Sequence, residues 1–579
     1  MPKVQARTVL WYLVFLGFAV NYMIRINLNI TIVEMVMSKT KNLQQRFIEL
    51  NNDDGGGGGG LVRDQNRFIS LNKQFSVDFN TSISNASLIE LESHNLNSTN
   101  SLPSKWSGNA VELNNLTVKY VNQTFYKKIE TFSIEKYLLR LFDIEYNKLG
   151  FEWNEYQQGL VLGAFFWAHW VTQIPGGILA KKFGTKIVFG LSNATGCWMC
   201  FFIPIISYWD YRALIWWRVI QGLICGLSWP AMHVLTAQWI PPNERSKFVT
   251  AYLGSSVGIA IFYPLFGYII SWTSWEWVYH ICGMVGTFWW LGWLILVYDT
   301  PALHPRIDEN ELSYIQKSLG SSVQTSKENY TPWKEIVSSR PVWMNVIAQW
   351  GGIWGLFTLM TQAPTYFKVI HNWDIKTTGI LSGLPHLMRM IFAYIFSIFG
   401  DYLLRTEKMS RTNVRKLATT FCCIVKGCVV LALAFYGHNS IAAIIFLTIA
   451  TMFHGAVSSG PLASIVDISP NYAGIVLGIS GMIGVLPGFI SPFIVGILTL
   501  DNQTNESWRY VFLITAGMLI TSGLLYVLFG SSTLQTWNTP LKCKDDKEDY
   551  LLSTDTATKH NIYKDQNCIE LLNQNNENN

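Results

Sequence analysis

Five basic side chains stand inside long apolar stretches, and theirs is the chemistry that needs explaining. Arg25 lies in VNYMIRINLN and Arg218 in LIWWRVIQGL, while His169, His386 and Arg389 have similarly apolar neighbours. A charge at the centre of a membrane helix costs about 2.5–3.5 kcal/mol on insertion scales, so such residues face a cavity or a partner. Arg25 and Arg218 fall at similar depth in their stretches, and an anion between them would receive forked hydrogen bonds from both guanidiniums. The plainer use of each arginine is to cap backbone carbonyls within a helix bundle. His169 is either a titratable proton site or a hydrogen-bonded packing residue. His386 and Arg389, one turn apart, either add positive potential to a cavity or, for Arg389, turn to lipid headgroups.

The elements that must position these residues follow from composition. Of 579 residues, 50% are hydrophobic and only 14% are charged, against roughly 25% charged in soluble globular proteins. The formal charge of +5 is too small for this length to indicate a nucleic-acid partner. A bilayer core takes roughly 20 apolar residues per helix. Twelve such windows emerge, at 8–36, 156–180, 186–207, 210–238, 247–272, 275–298, 342–368, 377–400, 413–436, 440–463, 472–499 and 508–531. The expected fold is an all-α membrane protein of twelve transmembrane helices in two six-helix halves. Residues 1–298 form the first half and include a long outer loop at 38–154. Residues 299–341 form a linker, 342–531 the second half and 532–579 a tail.

Short cytoplasmic loops carry the excess of Lys and Arg. Lys181, Lys182 and Lys186, then Arg245 and Lys247, then Arg405, Lys408, Arg411, Arg415 and Lys416 all fall on one side of a twelve-helix chain, which also holds the linker and both termini. The termini are therefore expected in the cytoplasm. Seven N-x-[ST] acceptors fall in outer loops and are candidate glycosylation sites: Asn80, Asn85, Asn97, Asn115 and Asn122 in the first loop, Asn502 and Asn505 after helix 11. Those at Asn29 and Asn193 lie inside helices, and Asn329 lies in the linker. The first loop is rich in Asn and Ser, contains Gly55 to Gly60 and has no cysteine, which excludes a disulfide-stapled ectodomain. A glycosylated cover is the reading its composition favours, with an interfacial helix over 132–149. The Cys197 and Cys200 pair lies in an apolar helix without a second ligand pair and reads as core packing. No nucleophile elbow, phosphate loop or metal-ligand pair occurs where water could reach it, so an enzyme is not expected.

The helix sequences resemble a known family. Residues 17–36 read G-F-A-V-N-Y-M-I-R-I-N-L-N-I-T-I-V-E-M-V, residues 218–233 read R-V-I-Q-G-L-I-C-G-L-S-W-P-A-M-H, and residues 238–246 read Q-W-I-P-P-N-E-R-S. With P-T-Y-F (364–367), L-S-G-L-P-H-L (381–387), D-I-S-P-N-Y-A-G-I-V-L-G-I-S (467–480) and P-G-F-I-S-P (487–492), these resemble the anion/cation symporter branch of the major facilitator superfamily. That branch includes sialin, the vesicular glutamate transporters and the type I sodium-phosphate cotransporters. The resemblance implies that Arg25 and Arg218 belong to an anion pathway that Tyr22 helps to line. It also implies that Gly177 and Gly184 belong to a gate between helices 2 and 3. The acidic position of that gate motif is Lys181 here, whereas the equivalent place after helix 8 is acidic, Asp401.

Five family positions differ. Proton-coupled members carry a glutamate where this chain has Cys225, and a thiol does not cycle a proton as a carboxylate does. The histidine and arginine of glutamate-transporting members correspond to Leu162 and Gly352. The residues before the acidic position of the D-I-A-P motif are Ser464 and Ile465. The resemblance thus implies a secondary or facilitative transporter of small anions, phosphate or organic, working by alternating access. It implies no cofactor, sodium or a proton as coupling ion, the bilayer as surroundings, a monomeric state, and either the plasma membrane or an endolysosomal membrane. A non-transporting receptor or scaffold, and an anion channel, are the alternatives. If the outer loops lie outside the cytoplasm, an N-glycosidase will lower the apparent mass of the protein from cells, and replacing the seven asparagines by glutamine will abolish that shift.

Overall fold

A computed structural model describes residues 5–36, 150–241, 248, 250–319, 332–470 and 472–538. The sequons from Asn80 to Asn122, the helix expected at 132–149, and Arg245 and Lys247 lie outside the described residues. Twelve crossings run α1 (Ala6–Met35), α2 (Glu155–Trp167 and Gln173–Phe183), α3 (Thr185–Trp209), α4 (Tyr211–Cys225 and Ser228–Trp239), α5 (Thr250–Trp272), α6 (Glu276–Leu296), α7 (Arg340–His371), α8 (Ile375–Arg405), α9 (Arg411–Tyr436), α10 (Ser440–Ile468), α11 (Ala473–Leu498) and α12 (Asn505–Phe529). The expected twelve windows match these within a few residues.

Ten of the crossings are long and apolar enough on their own to span a membrane; α2 and α7 are not among them. The reason differs. A turn at 168–172 breaks α2, whereas α7 buries Asn345, Gln349, Thr358, Thr361 and Gln362 along its length. Polar caps set several helix starts. Asn154 and Gln157 form a reciprocal capping box on α2, at 2.8 and 3.0 Å, and Asp210, Asp374, Ser410, Asn439 and Thr504 cap α4, α8, α9, α10 and α12. At the start of α1, the carboxylate of Glu311 accepts from the N–H groups of Ala6 and Arg7 at 3.0 and 3.2 Å and pairs with the Arg7 guanidinium at 2.9 Å. The linker helix Glu309–Leu319 is thereby tied to the first half, with negative charge at the positive end of α1.

One apolar core serves α1 to α6, built around Phe18, Phe189, Tyr279 and Trp293. The later helices have separate cores, one of which gathers Tyr366, Trp508 and Phe512 from α7 and α12. Between the halves, α1 and α5 meet α7 through Tyr263, whose hydroxyl accepts from Asn29 at 3.1 Å and donates to the Met360 carbonyl at 2.7 Å. The tight contacts between halves lie at the end of the bundle opposite the termini. There Glu155 of α2 accepts from the Asp501 N–H and from Gln503, both at 3.2 Å, and the α8 backbone at Gly379 packs on the Tyr263 carbonyl of α5.

Within the first half, α2 and α4 cross where Gly222 and Gly226 leave no side chain between them. A Cβ on Gly222 would overlap the Phe165 carbonyl oxygen, and one on Gly226 would overlap Thr172 Oγ1 and the His169 carbonyl. By contrast, Gly478 of α11 has nothing within 4 Å. Gly222→Val should therefore lower the unfolding temperature of purified protein, by an overpacking cost of about 1–3 kcal/mol or more. Gly478→Ala should leave it unchanged within about 1 kcal/mol. Thermal unfolding of the two variants in detergent checks the contrast.

Candidate functional site

The crossing of α2 and α4 is also where the buried cations gather. Arg25 (4% exposed) and Arg218 (1% exposed) both address the ring of Phe165, with guanidinium carbons 5.7 and 5.1 Å from its centroid. Arg25 also lies 4.7 Å over the ring of Tyr22, one helical turn earlier on α1. Such cation–π contacts gain strength when water is excluded. Among the described residues no carboxylate lies within ion-pair distance of either arginine.

The two guanidiniums are used differently. One Nη of Arg218 donates to the Ile24 carbonyl at 3.2 Å and to Gln221 Oε1 at 2.8 Å, so part of its fork caps the backbone of α1. Arg25 makes a single hydrogen bond, from Nη2 to His169 Nε2 at 3.3 Å. The Nε atoms of both arginines are buried without a protein partner, and most of the Arg25 donors remain unspent.

The break in α2 places His169. Its Nδ1 lies 3.0 Å from the Gly222 carbonyl. A carbonyl only accepts and a guanidinium only donates, so these partners fix the neutral ring with the proton on Nδ1 and the lone pair of Nε2 toward Arg25. His169 is thus a positioning residue for Arg25. Thr172 Oγ1 and Gln173 Nε2 satisfy the carbonyls freed at the two breaks, those of His169 and Gly226, at 3.2 and 3.3 Å.

Cys225 is fully buried where α4 breaks. Its thiol lies 3.8 Å from the Ser192 carbonyl and within electrostatic reach of both arginines. Beside it runs a polar seam: Asn21 donates to Asn193 at 2.7 Å, and Ser228 meets Asn193 and Ser192 at 3.3 and 2.8 Å. Asn193 is wholly buried and Asn29 nearly so, both in helices. Cys197 and Cys200 are free and buried, and no group of metal-ligating residues occurs among the described residues.

His386 and Arg389 share the buried face of α8 with Ser382. Arg389 turns inward, where its guanidinium donates to Ser256 of α5. The sequence had left open a lipid-facing orientation for it. Two residues that sequence reasoning passed over stand nearby: Lys426 of α9, fully buried, and His454 of α10. The signal that was available is the one used for Arg25, a charge inside an apolar window.

At the end that holds the termini, Gly184 takes φ +88° between α2 and α3. A Cβ there would overlap the Asp299 carboxylate, which accepts from the Lys186 N–H at 2.7 Å. Asp299, from the loop after α6, thus supplies an acid at the first-half turn, where the gate motif has Lys181. A Cβ on Gly177 would meet only the Pro230 side chain, at 3.7 Å, whereas one on Gly176 would come within 2.9 Å of the Leu227 backbone. Asp401 is exposed, and the ion pair at this end of the second half is Arg415 with Asp467, at 2.7 Å.

Twelve helices in two sets, with uncompensated cations buried at mid-depth, define a multi-pass membrane transporter. Residues 74–492 match the Major Facilitator Superfamily. The chain is 36% identical to vesicular glutamate transporter 1 of Bos taurus over 405 residues, covering 69% of this chain and 72% of the relative. It is 34% identical to vesicular glutamate transporter 2 of Homo sapiens over 404 residues, 69% of each. Among solved structures, it is similar in fold to a bacterial homologue of the human lysosomal transporter Spinster in an inward-facing, unoccupied conformation. The TM-score is 0.50 at 14% identity, over 66% of this chain and 92% of that one. The chain belongs to the Major Facilitator Superfamily, in the branch that contains the vesicular glutamate transporters.

Replacing His169 with leucine would strand a guanidinium N–H and the Gly222 carbonyl together. A buried group left unpaired costs about 1–3 kcal/mol, so His169→Leu should melt earlier than the wild type. A His169→Leu protein with unchanged unfolding temperature would show that the ring does not hold Arg25.

Proposed function

We propose that this chain is a secondary transporter of small organic anions that works by alternating access, with Arg25 as its principal anion contact. The observation that carries the reading is the pair of buried guanidiniums on Phe165, with unspent donors and no carboxylate among the described residues. A bound carboxylate would supply the missing charge and accept the forked hydrogen bonds. The kinship with vesicular glutamate transporters favours an organic anion over phosphate. Tyr22 and Phe165 form the aromatic walls, Arg218 holds the α1 backbone beside Arg25 while keeping one face of its fork free, and His169 sets the Arg25 rotamer.

The coupling follows from the same residues. Cys225 stands beside the arginines where a carboxylate would relay protons, so sodium or the membrane potential drives the anion rather than a proton carried at that position. Lys181, Lys182, Lys186, Arg405, Lys408 and Arg411 crowd the end with the termini, which we assign to the cytoplasm. The kinship favours a vesicular or endolysosomal membrane.

Purified protein in liposomes tests this. Uptake is measured for glutamate, sialic acid, urate and phosphate, with sodium, proton and potential gradients imposed separately. Saturable uptake of at least one organic anion is expected, with Arg25→Ala losing it while the variant remains folded and monodisperse. Normal uptake by Arg25→Ala would remove the anion from Arg25. Absence of flux for every anion would mark a non-transporting receptor, and unsaturable flux without countertransport would mark a channel.

A further inference from the structure

The end of the bundle that holds the termini carries a basic cleft that the site around Arg25 does not use. It encloses about 790 Å³ where α8 turns into α9, and its walls include Arg405, Glu407, Ser410, Arg411, Arg415 and Asp467. A volume of that size suits a molecule much larger than one inorganic anion. Arg415 is neutralised within the protein, pairing with Asp467 at 2.7 Å and donating to the Ser459 carbonyl at 2.9 Å. Arg405 and Arg411 are exposed, and among the described residues neither has a carboxylate within ion-pair distance. Lys408, on the same turn, lies over the ring of Tyr402, with Nζ 5.0 Å from the ring centroid and 3.0 Å from the hydroxyl.

The helix ends at this turn treat the two free arginines differently. Arg405 stands in the last turn of α8, where the helix dipole favours a cation. Arg411 is the first residue of α9, after the Ser410 cap, and no acidic residue occupies that first turn. A cation there is opposed by the dipole. Ser410 Oγ accepts from the Asn413 N–H at 3.3 Å, and guanidiniums otherwise crowd the positive end of the helix. An anion lodged in the cleft is favoured by the helix end and by the unpaired forks of Arg405 and Arg411 alike. Such forks match phosphate oxygens in particular.

The surface beside the cleft points to the carrier of that anion. Tyr394, Ile395, Ile398, Phe399 and Tyr402 of α8 are 45–64% exposed, and their spacing places them on one face of the helix. In a membrane that face meets acyl chains, and it ends at Tyr402, whose hydroxyl meets Lys408 beside the cleft. A free phosphate would use the cations alone. A phospholipid uses both surfaces, with its chains along the α8 face and its headgroup among the arginines, as basic pockets at the cytoplasmic ends of membrane helices do.

We propose that the cleft at the turn between α8 and α9 binds an anionic phospholipid with a phosphorylated headgroup, whose phosphates are held by Arg405 and Arg411 and whose chains lie on the exposed face of α8. Lys408 adds positive charge beside it. The proposal uses the cytoplasmic assignment of this end and nothing of the Arg25 site.

Purified full-length protein in detergent is titrated with dioctanoyl phosphatidylinositol bisphosphate, dioctanoyl phosphatidylcholine and inositol trisphosphate, with binding read from thermal shift and native mass spectrometry. The bisphosphate lipid should bind and stabilise the wild type, and phosphatidylcholine should not. Arg405→Gln combined with Arg411→Gln should weaken the lipid about tenfold or more, since each cation near an anionic headgroup contributes about fivefold. The lipid-free unfolding temperature should not change, because both side chains are exposed. Lys182→Gln combined with Arg340→Gln removes the same charge from exposed positions at the same end and should leave lipid affinity as in the wild type. Equal losses in the two double variants overturn the cleft, because the lipid then answers to net charge alone. An unchanged affinity in the Arg405→Gln, Arg411→Gln protein, or no binding by the wild type, overturns it outright. Inositol trisphosphate binding as tightly as the lipid overturns the lipid as occupant and marks a site for a soluble phosphate. Arg25→Ala should bind the lipid normally even where it loses uptake, which keeps failure of the transport reading distinct from failure of this one.

Discussion

Two guanidiniums buried on one phenylalanine ring, with no acid among the described residues to neutralise them, set the terms for the first half of this bundle. Holding Arg25 and Arg218 in apolar surroundings is costly, and the structure offsets the cost only in part. The Ile24 carbonyl, Gln221, His169 and the aromatic faces of Tyr22 and Phe165 each take a share. Those partners exist because α2 and α4 break side by side and because Gly222 and Gly226 let the two chains touch. The irregular backbone lies inside the protein, the condition under which a membrane interior tolerates it.

The same economy appears in the second half, where the π-helical winding of Thr420–Val425 and the facing Gly352 and Gly355 make space for Lys426 and His454, and Lys426 meets the Gly352 carbonyl. Positive groups are thus buried in both halves, while the tight contacts between the halves lie at the end away from the termini. An anion that touched residues of both halves would have its affinity coupled to their relative position. That coupling is what an alternating-access carrier requires.

The turns at the end with the termini show how charge is distributed without a fixed motif position. Lys181 stands where an acid belongs in the gate motif, and Asp299 reaches the turn from the far side of the first half instead, accepting from the Lys186 N–H beside Gly184. In the second half the acid that pairs is Asp467, with Arg415, and Asp401 stays exposed. At each turn the acid is the carboxylate that the packing brings close.

The twelve crossings were legible in the sequence because each must bury some 20 apolar residues, a local property that survives without knowledge of neighbours. Arg25, Arg218, His169, His386 and Arg389 were legible for the converse reason, as charges where the local pattern forbids them, and Lys426 and His454 carried the same signal unread. The partners were not legible. That His169 holds Arg25, that Phe165 lies under both arginines, that Arg389 turns inward to Ser256, and that Lys426 meets Gly352 are contacts between residues distant in the chain. They are decided by which helices pack together and at what rotation. Sequence by itself determined the membrane-spanning class and its candidate cations, because hydropathy is read along one helix at a time. Only the tertiary structure decided which cations share a site and which remain uncompensated, because electrostatic balance depends on distance in space.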